Sequence, residues 1–389
     1  MKIKQRPEDF VVAEIDRYET SAAGPFSLYR LEKWDIGTIE ALQNVARKWG
    51  VPRSSLSFGG LKDRHARCSQ VISIRGGPGK DFQGSAFRLE YLGRSRDPIT
   101  RASFSANRFE ITVRDLAEIP DLEPVRRWGV PNYFDDQRFG SLRGTGGEFI
   151  GRALIRGEAE KALRLALASP SAEDTRRPRR TKTLLRDRWG DWGALRTALP
   201  RGPERSIAAY LAGHPGSFGP AFELLDPDLR ILYVSAYQSY LWNRTLAEIL
   251  RELPDTYEVA YAAGRHRFYR SLAPAAHDSL CELEIPLAAP GQVFEGKASE
   301  ALGRVLAGEK VELRQFRLKK LRRTFFGKGM RAALVAPAGL AAAAGEDELN
   351  RGRRKLALRF ELPKGSYATI LLKRLFHEPS PPEDAEDAD

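Results

Sequence analysis

Alternating hydrophobic and polar residues near both ends of the chain predict β-strands. The alternation is clearest in residues 108–114 and 356–362, where every second side chain is apolar. A spacing of two places those side chains on one face of a sheet. Short apolar runs in residues 9–15 and 70–74 are also typical of strands. The two ends of the chain therefore both contribute strands.

Apolar residues at helical spacing predict helices near the N-terminus and through the middle of the chain. They recur every three or four positions in residues 39–49. We expect Thr38 to cap this helix and Gly50 to end it. An alanine-rich helical pattern covers 151–168, and a longer amphipathic pattern covers 229–250.

Strand patterns at both ends around a helical middle predict an α+β fold with one domain inserted into another. We expect a core domain from residues 1–130 and 326–377, and an inserted domain from residues 131–325. The acidic, proline-containing tail, residues 378–389, predicts disorder. Inside the inserted domain the basic stretch TRRPRRTK, residues 175–182, predicts a loop, because no core would bury it. The length of 389 residues suits two or three domains.

The charge of the chain indicates a polyanionic partner. The formal net charge is +12, but the last twelve residues carry six acids and no base. Without those six, 63 bases stand against 45 acids, an excess of 18. Phosphate backbones are the commonest large polyanions, so a nucleic acid is favoured. A soluble basic protein without such a partner remains the alternative.

The composition excludes several classes of protein. No stretch approaches the ~20 apolar residues of a membrane span, and the first ten residues lack the apolar run of a signal peptide. Cys68 and Cys281 cannot form a disulfide framework. We therefore expect a reduced, cytoplasmic protein without a membrane partner. The five histidines lack metal-ligand spacing and no nucleotide-binding glycine motif occurs, so we expect neither a metal nor a cofactor.

Residues 58–70, FGGLKDRHARCSQ, contain the strongest candidate for a reactive group. Gly59 and Gly60 allow sharp turns, and Asp63 follows between Lys62 and Arg64. An aspartate is ionised at neutral pH, since its reference pKa is about 3.9. It can attack as a carboxylate without a partner base, and neighbouring cations favour the charged form. An aspartate in a polar turn is the alternative interpretation.

Three further segments mix aromatic and polar residues. Residues 131–140, PNYFDDQRFG, suit either a surface that stacks on RNA bases or a packed domain junction. Their acids Asp135 and Asp136 suit a metal pair or, more commonly, a solvated loop. Residues 314–331 interleave bases with phenylalanines, which is typical of an RNA-facing surface, with a solvated helix face as the alternative. Tyr367, just after a glycine turn, suits either a core or a stacking platform.

These segments together resemble the TruD family of tRNA pseudouridine synthases. The resemblance spans residues 4 to about 375, and the motifs occur in the order of the family. Cys68 departs from the family, which usually has threonine there, and residues 175–182 match no family motif. The segments that carry the resemblance are KQRPEDF (4–10), GGLKDRHARCSQ (59–70), NRF (107–109), PNYFDDQRFG (131–140), SAYQSYLWN (235–243), MRAALVAP (330–337) and LPKGSYAT (362–369).

The resemblance implies a role for five residues of the site. Asp63 would be the nucleophile and Lys4 its basic partner. Phe10 and Tyr367 would contact the target base, and Asn107 would hydrogen-bond to the nucleotide. It also implies a pseudouridine-synthase catalytic core assembled from both chain ends, in agreement with the patterning.

The implied reaction isomerises a uridine of tRNA, at position 13 in the D arm, to pseudouridine without a cofactor. Other RNAs are possible substrates. Asp63 could add to C1′, add to C6, or remove the C2′ proton, and the sequence does not decide between these routes. The uridine must be flipped out of the RNA to be reached. We expect the inserted domain to hold the RNA with Arg322, Arg323 and Arg331 among its phosphate contacts, and a monomer is favoured.

Two other classes of function stay open at this point. One is a catalytically silent RNA-binding or RNA-folding protein of the same fold, against which the presence of Lys4, Asp63 and Asn107 argues. The other is a metal-dependent nuclease that uses Asp135 and Asp136. A chelator would inactivate the nuclease and leave the synthase unaffected.

Overall fold

The computed structural model describes residues 1–319 and 321–377, so the predicted tail at 378–389 lies outside the described residues. Mixed helices and strands confirm the predicted α+β class. The strands are β1 (Lys2–Ile3), β2 (Phe10–Asp16), β3 (Phe26–Lys33), β4 (Leu56–Phe58), β5 (Arg67–Arg75), β6 (Phe82–Gln83), β7 (Phe87–Ser95), β8 (Phe104–Leu116), β9 (Val130–Pro131), β10 (Thr256–Tyr261), β11 (Gly264–Tyr269), β12 (Glu284–Pro286), β13 (Met330–Ala332), β14 (Leu334–Val335), β15 (Ala338–Glu346) and β16 (Arg354–Pro363). The helices are α1 (Thr38–Trp49), α2 (Glu123–Trp128), α3 (Ile150–Ile155), α4 (Ala159–Leu167), α5 (Arg176–Asp187), α6 (Trp192–Ala198), α7 (Pro203–Gly213), α8 (Phe218–Glu223), α9 (Pro227–Leu250), α10 (Pro274–Glu282), α11 (Gly296–Glu309) and α12 (Ala368–Phe376).

The chain forms two compact units. The first comprises residues 1–129 and 335–368, and the second comprises residues 130–334 together with the described part of 369–389. The predicted domains, with limits after residues 130, 325 and 377, remain a prediction. The boundaries between the two units fall after residues 129, 334 and 368.

One mixed sheet organises the first unit. Among the described residues its strand order is β15–β16–β8–β2–β5–β3–β7–β6, with β1 on β8 and β4 on β5. β2 and β5 run parallel, whereas β16, β8 and β2 are antiparallel neighbours. Strands from the two ends of the chain thus lie side by side. The strands predicted at 108–114 and 356–362 are β8 and β16.

Helix α1 closes a hydrophobic core over β3, β5 and β7. Leu42 and Val45 of the helix pack with Tyr29, Leu31 and other fully buried side chains of the sheet. Gly50 ends the helix in the left-handed conformation, φ +65°, as predicted. The predicted cap Thr38 is wrong. Gly37 occupies the cap position, and the Thr38 hydroxyl instead accepts a hydrogen bond from the Lys62 backbone N–H.

The second unit is mainly helical around the long, largely buried helix α9. Asp226 caps α9 by accepting hydrogen bonds from the next backbone N–H groups. Gly151 of α3 allows close packing here, because a Cβ at this position would lie 2.9 Å from Tyr237 Cβ of α9. The helix predicted over 151–168 is two helices, α3 and α4, separated at Gly157, which adopts φ +76°.

The loop predicted over residues 175–182 is wrong. Residues Arg176–Asp187 form α5, a helix whose C-terminal half is anchored by the buried Leu185. Pro178 lies in the first turn, where a missing N–H costs no hydrogen bond. The stretch 175–182 contains no apolar residues at helical spacing, so its sequence contained no helical signal.

Candidate active site

A buried ion cluster fixes the opening segment of the first unit. The Asp9 carboxylate accepts hydrogen bonds from the Arg114 guanidinium at 2.9 Å and 3.0 Å, and from the Arg6 backbone N–H at 2.9 Å. Arg114 also donates to Asp347 at 3.1 Å and Glu348 at 2.9 Å. Arg114 and Asp9 are almost completely buried. This network ties residues 4–10 to β8 and so sets the position of Lys4.

Lys4 lies directly on Asp63. Its ammonium donates a hydrogen bond to the Asp63 carboxylate Oδ2, across 59 positions of sequence. Both side chains keep about a fifth of their surface exposed, 22% for Lys4 and 19% for Asp63. Lys4 adopts φ +61°, a conformation that residues other than glycine rarely take. Strained backbone of this kind concentrates at functional sites.

Opposing effects act on the pKa of Asp63. Burial raises it, because a low dielectric disfavours the carboxylate. The hydrogen bond and charge of Lys4, followed by the backbone N–H and the ring of His65, outweigh burial, so the pKa of Asp63 lies below its ordinary value. Asp63 is therefore an ionised, partly desolvated carboxylate at neutral pH.

A second lysine holds the backbone of Asp63. Lys33, at the end of β3, is fully buried, and its ammonium donates to the Asp63 carbonyl oxygen and to the Ile36 carbonyl oxygen at 2.9 Å. No carboxylate within the described parts of the chain forms an ion pair with it. Burial lowers the pKa of Lys33, opposed by the nearby Cys68 thiol and Asp63. Lys33 is thus a buried cation that fixes the nucleophile candidate.

The residues that flank Asp63 are fixed from three directions. Lys62 forms an ion pair with the buried Glu14 of β2, and its ammonium lies 4.9 Å from the centre of the Phe104 ring. The Gln70 amide donates to the Gly60 carbonyl oxygen at 3.1 Å. Burial raises the pKa of Glu14, with Lys62 acting against it. These contacts hold the loop that carries Asp63 against the sheet.

Gly59 is required for space. The chain bends at Gly59, although neither Gly59 nor Gly60 adopts a positive φ. A Cβ on Gly59 would lie 2.8 Å from two ring carbons of Phe104, whereas a Cβ on Gly60 would meet nothing closer than 3.8 Å. The segment before Asp63 thus passes closely over the Phe104 ring.

The rings of Phe10, Phe109 and Phe360 pack against one another on the sheet of the first unit, next to Lys4. Lys4 Nζ lies 4.3 Å from the centre of the Phe10 ring, and Phe10 meets the Phe109 ring edge-on at 6.4 Å. Phe109 stacks on Phe360 of β16 at 5.4 Å. The predicted base contact Phe10 is thus beside Lys4, although it is only 5% exposed.

Asn107 lies on β8, two residues before Phe109. It pairs across the sheet with Glu14 on one side and Leu362 on the other. Its side-chain Oδ1 is buried and has no hydrogen-bond partner within the described chain. A buried acceptor without a partner is costly, so this atom is available to a ligand.

Tyr367 follows β16 at the same end. β16 ends at Pro363, whose neighbour Lys364 donates its backbone N–H to the Ser105 carbonyl oxygen of β8 at 3.1 Å. Tyr367 comes three residues later and is half-buried. Lys4 thus contacts both Asp63 and Phe10. Asn107 is linked to this group through its strand neighbour Glu14, which pairs with Lys62, and Tyr367 belongs to the turn beyond the strand that borders Asn107.

The three predicted phosphate contacts belong to the second unit and differ from one another. Arg322 and Arg323 are exposed. Arg331 is only half-exposed, and its guanidinium donates to Asn132 and Tyr133 at 2.6–3.2 Å and stacks 4.1 Å from the Phe134 ring centre. The Arg331 guanidinium is thus used inside the unit, where it holds residues 132–134.

Asp135 and Asp136 share a lysine. Lys373 donates to Asp135 at 2.5 Å and to Asp136 at 2.8 Å, and Asp136 also accepts the Ala262 backbone N–H at 2.7 Å. Burial raises the pKa of Asp135, but His266 and Lys373 outweigh it and hold that pKa far below its usual value. An ammonium thus occupies the position that the nuclease alternative would give to a metal ion.

No group of three or more potential metal ligands occurs in the described part of the chain. Likewise, none of its described helices is both long and apolar enough to cross a membrane.

Comparison with known proteins identifies the family. The profile described as tRNA pseudouridine synthase D (TruD) matches residues 1–375. The chain belongs to the TruD family. The predicted family and the predicted enzyme class, an isomerase, are confirmed.

Similar proteins match this chain over nearly their whole length. "Probable tRNA pseudouridine synthase D 1" from Methanococcus maripaludis is 31% identical, over 97% of this chain and 100% of its own. "tRNA pseudouridine synthase D" from Aquifex aeolicus is 31% identical, over 97% and 98%. A crystal structure of a TruD protein from Methanosarcina mazei has a TM-score of 0.67 at 28% identity, and the match covers 96% of this chain and 92% of that one.

Sequence patterns missed Lys33 and Glu14, which fix the loop around Asp63. Both are charged residues at buried positions of strands. A charged residue on the inward face of a strand is a signal that the sequence does contain. This signal can be recognised only after the strand and its buried face are known, and no strand was predicted at residues 26–33.

Proposed function

We propose that the chain converts a uridine of tRNA into pseudouridine, with Asp63 as the nucleophile. The observation that carries this proposal is the contact between Lys4 and Asp63. It gives an ionised carboxylate that is held in place but still partly exposed. Membership of the TruD family supports the reaction class.

The proposed reaction breaks the bond between N1 and C1′, rotates the freed uracil, and forms a bond between C5 and C1′. The C5 proton leaves to solvent and N1 gains a proton, so the atoms balance without an oxidant or a second substrate. Asp63 acts as a carboxylate, which is its form at neutral pH. Lys4 keeps Asp63 ionised and oriented, while Lys33 fixes the backbone from which its side chain projects.

We propose that the uracil is held between aromatic side chains after it is flipped out of the RNA. Phe10 and Tyr367 supply the apolar contacts. Asn107 Oδ1 is an unused acceptor, and the N3–H of uracil is a donor that matches it. Exclusion of water is needed, because hydrolysis of the intermediate would leave an abasic site.

The proposed substrate position is uridine 13 in the D arm of tRNA, as the family resemblance implies. Arg322 and Arg323, both exposed, are proposed phosphate contacts. For Arg331, we propose an indirect role through the segment 132–134 to which it is bonded. We place the enzyme in the cytoplasm, where tRNA is modified, and propose that it acts as a monomer.

Tritium at C5 of uracil tests this function, because formation of the C5 glycoside releases that label to water. Unmodified tRNA transcript labelled in this way is incubated with the enzyme in the presence and absence of EDTA. We expect stoichiometric release of one tritium per tRNA, equal in both conditions, and no release when uridine 13 is replaced by cytidine. Binding without release would contradict the synthase and favour a silent RNA-binding protein.

A further inference from the structure

The basic helix α5 has no role in the site described above. It carries six basic residues in twelve positions, and its acid, Asp187, is the last residue. Two of the basic side chains hold the preceding turn. Lys182 forms an ion pair with Asp174 at 2.8 Å, and Arg179 donates to the Ser171 carbonyl oxygen at 3.2 Å.

Three arginines of α5 remain outside these contacts. Arg176, Arg177 and Arg180 are exposed, and within residues 1–319 and 321–377 none of their side chains forms a hydrogen bond or an ion pair. Residues three and four apart lie on one face of a helix, so Arg180 neighbours both Arg176 and Arg177. The three guanidiniums therefore form one solvent-facing cationic surface, here called the α5 surface.

The placement of the α5 surface is unfavourable for the protein alone. Arginines in the first turn oppose the positive N-terminal end of the helix dipole. Like charges three and four residues apart also repel one another. An anion bound to this surface reverses both effects, because it is attracted by the guanidiniums and by the helix N-terminus together.

We propose that the α5 surface binds phosphates of the tRNA backbone and sets the affinity of the enzyme for its substrate without taking part in the chemistry. This inference rests on the proposed function, which supplies a polyanionic substrate. Planar guanidiniums suit phosphate, to which they donate two parallel hydrogen bonds. Because phosphate contacts carry no sequence information, the α5 surface contributes equally to binding of any tRNA.

A triple variant, Arg176→Gln, Arg177→Gln and Arg180→Gln, tests the proposal. Glutamine is a good helix former, so α5 should persist, which circular dichroism checks. The matched control, Arg251→Gln, Arg265→Gln and Arg304→Gln, removes the same charge from exposed arginines of the same unit. Each of those arginines already pairs with a glutamate.

Equilibrium binding of tRNA is measured from about 0.05 M to 0.3 M salt. For the α5 variant we expect Kd at 0.1 M salt to rise about tenfold or more, and the slope of log K against log salt to fall by about 2 to 3, close to one per lost phosphate contact. The control should stay within about twofold of wild type. An α5 variant that matches the control in both affinity and slope overturns the proposal.

Two further readouts separate this proposal from the synthase proposal. At saturating tRNA, kcat for tritium release should equal wild type in the α5 variant, while KM rises with Kd. If wild type binds tRNA through the α5 surface but releases no tritium, the synthase proposal fails and the α5 proposal stands. If the α5 variant loses affinity for an acidic polypeptide but keeps its affinity for tRNA, the surface serves a protein partner and the α5 proposal fails.

Discussion

Lys4 adopts a backbone conformation that is rare for residues other than glycine, and its ammonium forms an ion pair with the Asp63 carboxylate. Burial alone would raise the pKa of Asp63, and Lys4 reverses this effect. The Lys4→Met variant loses the largest effect that opposes burial, so the pKa of Asp63 should rise. Because the proposed nucleophile is the ionised form, the acidic limb of the pH–rate profile should move to higher pH, with activity at pH 5 falling more than activity at pH 8.

The measurement is the pH dependence of single-turnover tritium release. Lys2→Met is the matched control, since Lys2 is an exposed lysine of the same segment that bonds to Asn350 and pairs with Asp115. A Lys4→Met profile parallel to that of Lys2→Met at every pH would contradict the electrostatic role of Lys4.

Substitution of Lys33 should affect the activity of the enzyme much more than its thermal stability. Lys33 has no ion-pair partner in the described chain, so Lys33→Met removes a desolvation cost. It also leaves the carbonyl oxygens of Ile36 and Asp63 without this donor, so the two effects oppose and Tm should stay close to wild type. The same substitution releases the Asp63 carbonyl oxygen. A displacement of ~1 Å at a reacting group can cost about 100-fold in rate, so we expect kcat to fall about 10- to 100-fold. Wild-type kcat in a stable Lys33→Met protein would refute this positioning role.

At the scale of elements, Gly59 and Gly60 form a matched pair next to Asp63. A methyl group on Gly59 would lie 2.8 Å from ring carbons of Phe104, whereas one on Gly60 would meet no atom closer than 3.8 Å. Overpacking of this kind costs about 1–3 kcal/mol. We therefore expect Gly59→Ala to lower the free energy of unfolding by that amount and to reduce tritium release, while Gly60→Ala stays close to wild type. Urea denaturation and activity assays measure both effects, and equal results for the two variants would contradict the account.

Regular elements could be predicted from periodicity, whereas their ends and exceptions could not. Alternation located β8 and β16, and helical spacing located α1 and α9, because each buries one face. Thr38 was misassigned as a cap because its hydroxyl is used by Lys62, a contact that local sequence does not reveal. α5 was missed because its first half is basic and its one buried side chain, Leu185, lies beyond the stretch that was assigned to a loop.

The site shows the same division. The reactivity of Asp63 could be argued from its neighbours in sequence, but Lys4 is 59 residues away and entered only through the family resemblance. Lys33 and Glu14 depend on which strands are adjacent and which faces are buried. Pairing of strands from the two chain ends, which brings Leu362 beside Asn107, is a property of the folded sheet alone.

For the whole molecule, the distribution of charge predicts how the affinity for RNA depends on salt. Residues 378–389 carry six acids, and deleting them raises the formal net charge from +12 to +18. We expect the deletion to tighten binding of tRNA and of unrelated RNA about two- to fivefold at 0.05 M salt, through long-range attraction. The difference should vanish near 0.3 M, where screening is strong. Binding curves across this range measure it, and a difference that persists at high salt would indicate a specific contact instead.

The most direct measurement of the central claim is single-turnover release of tritium from C5-labelled tRNA by Asp63→Asn. Asparagine keeps the shape of the side chain but removes the charge that Lys4 holds. Asp121→Asn, at an exposed aspartate of the same unit, is the control. We predict that wild type and Asp121→Asn release one tritium per tRNA, whereas Asp63→Asn binds tRNA with unchanged affinity and releases none. Release by Asp63→Asn at the wild-type rate would contradict the account.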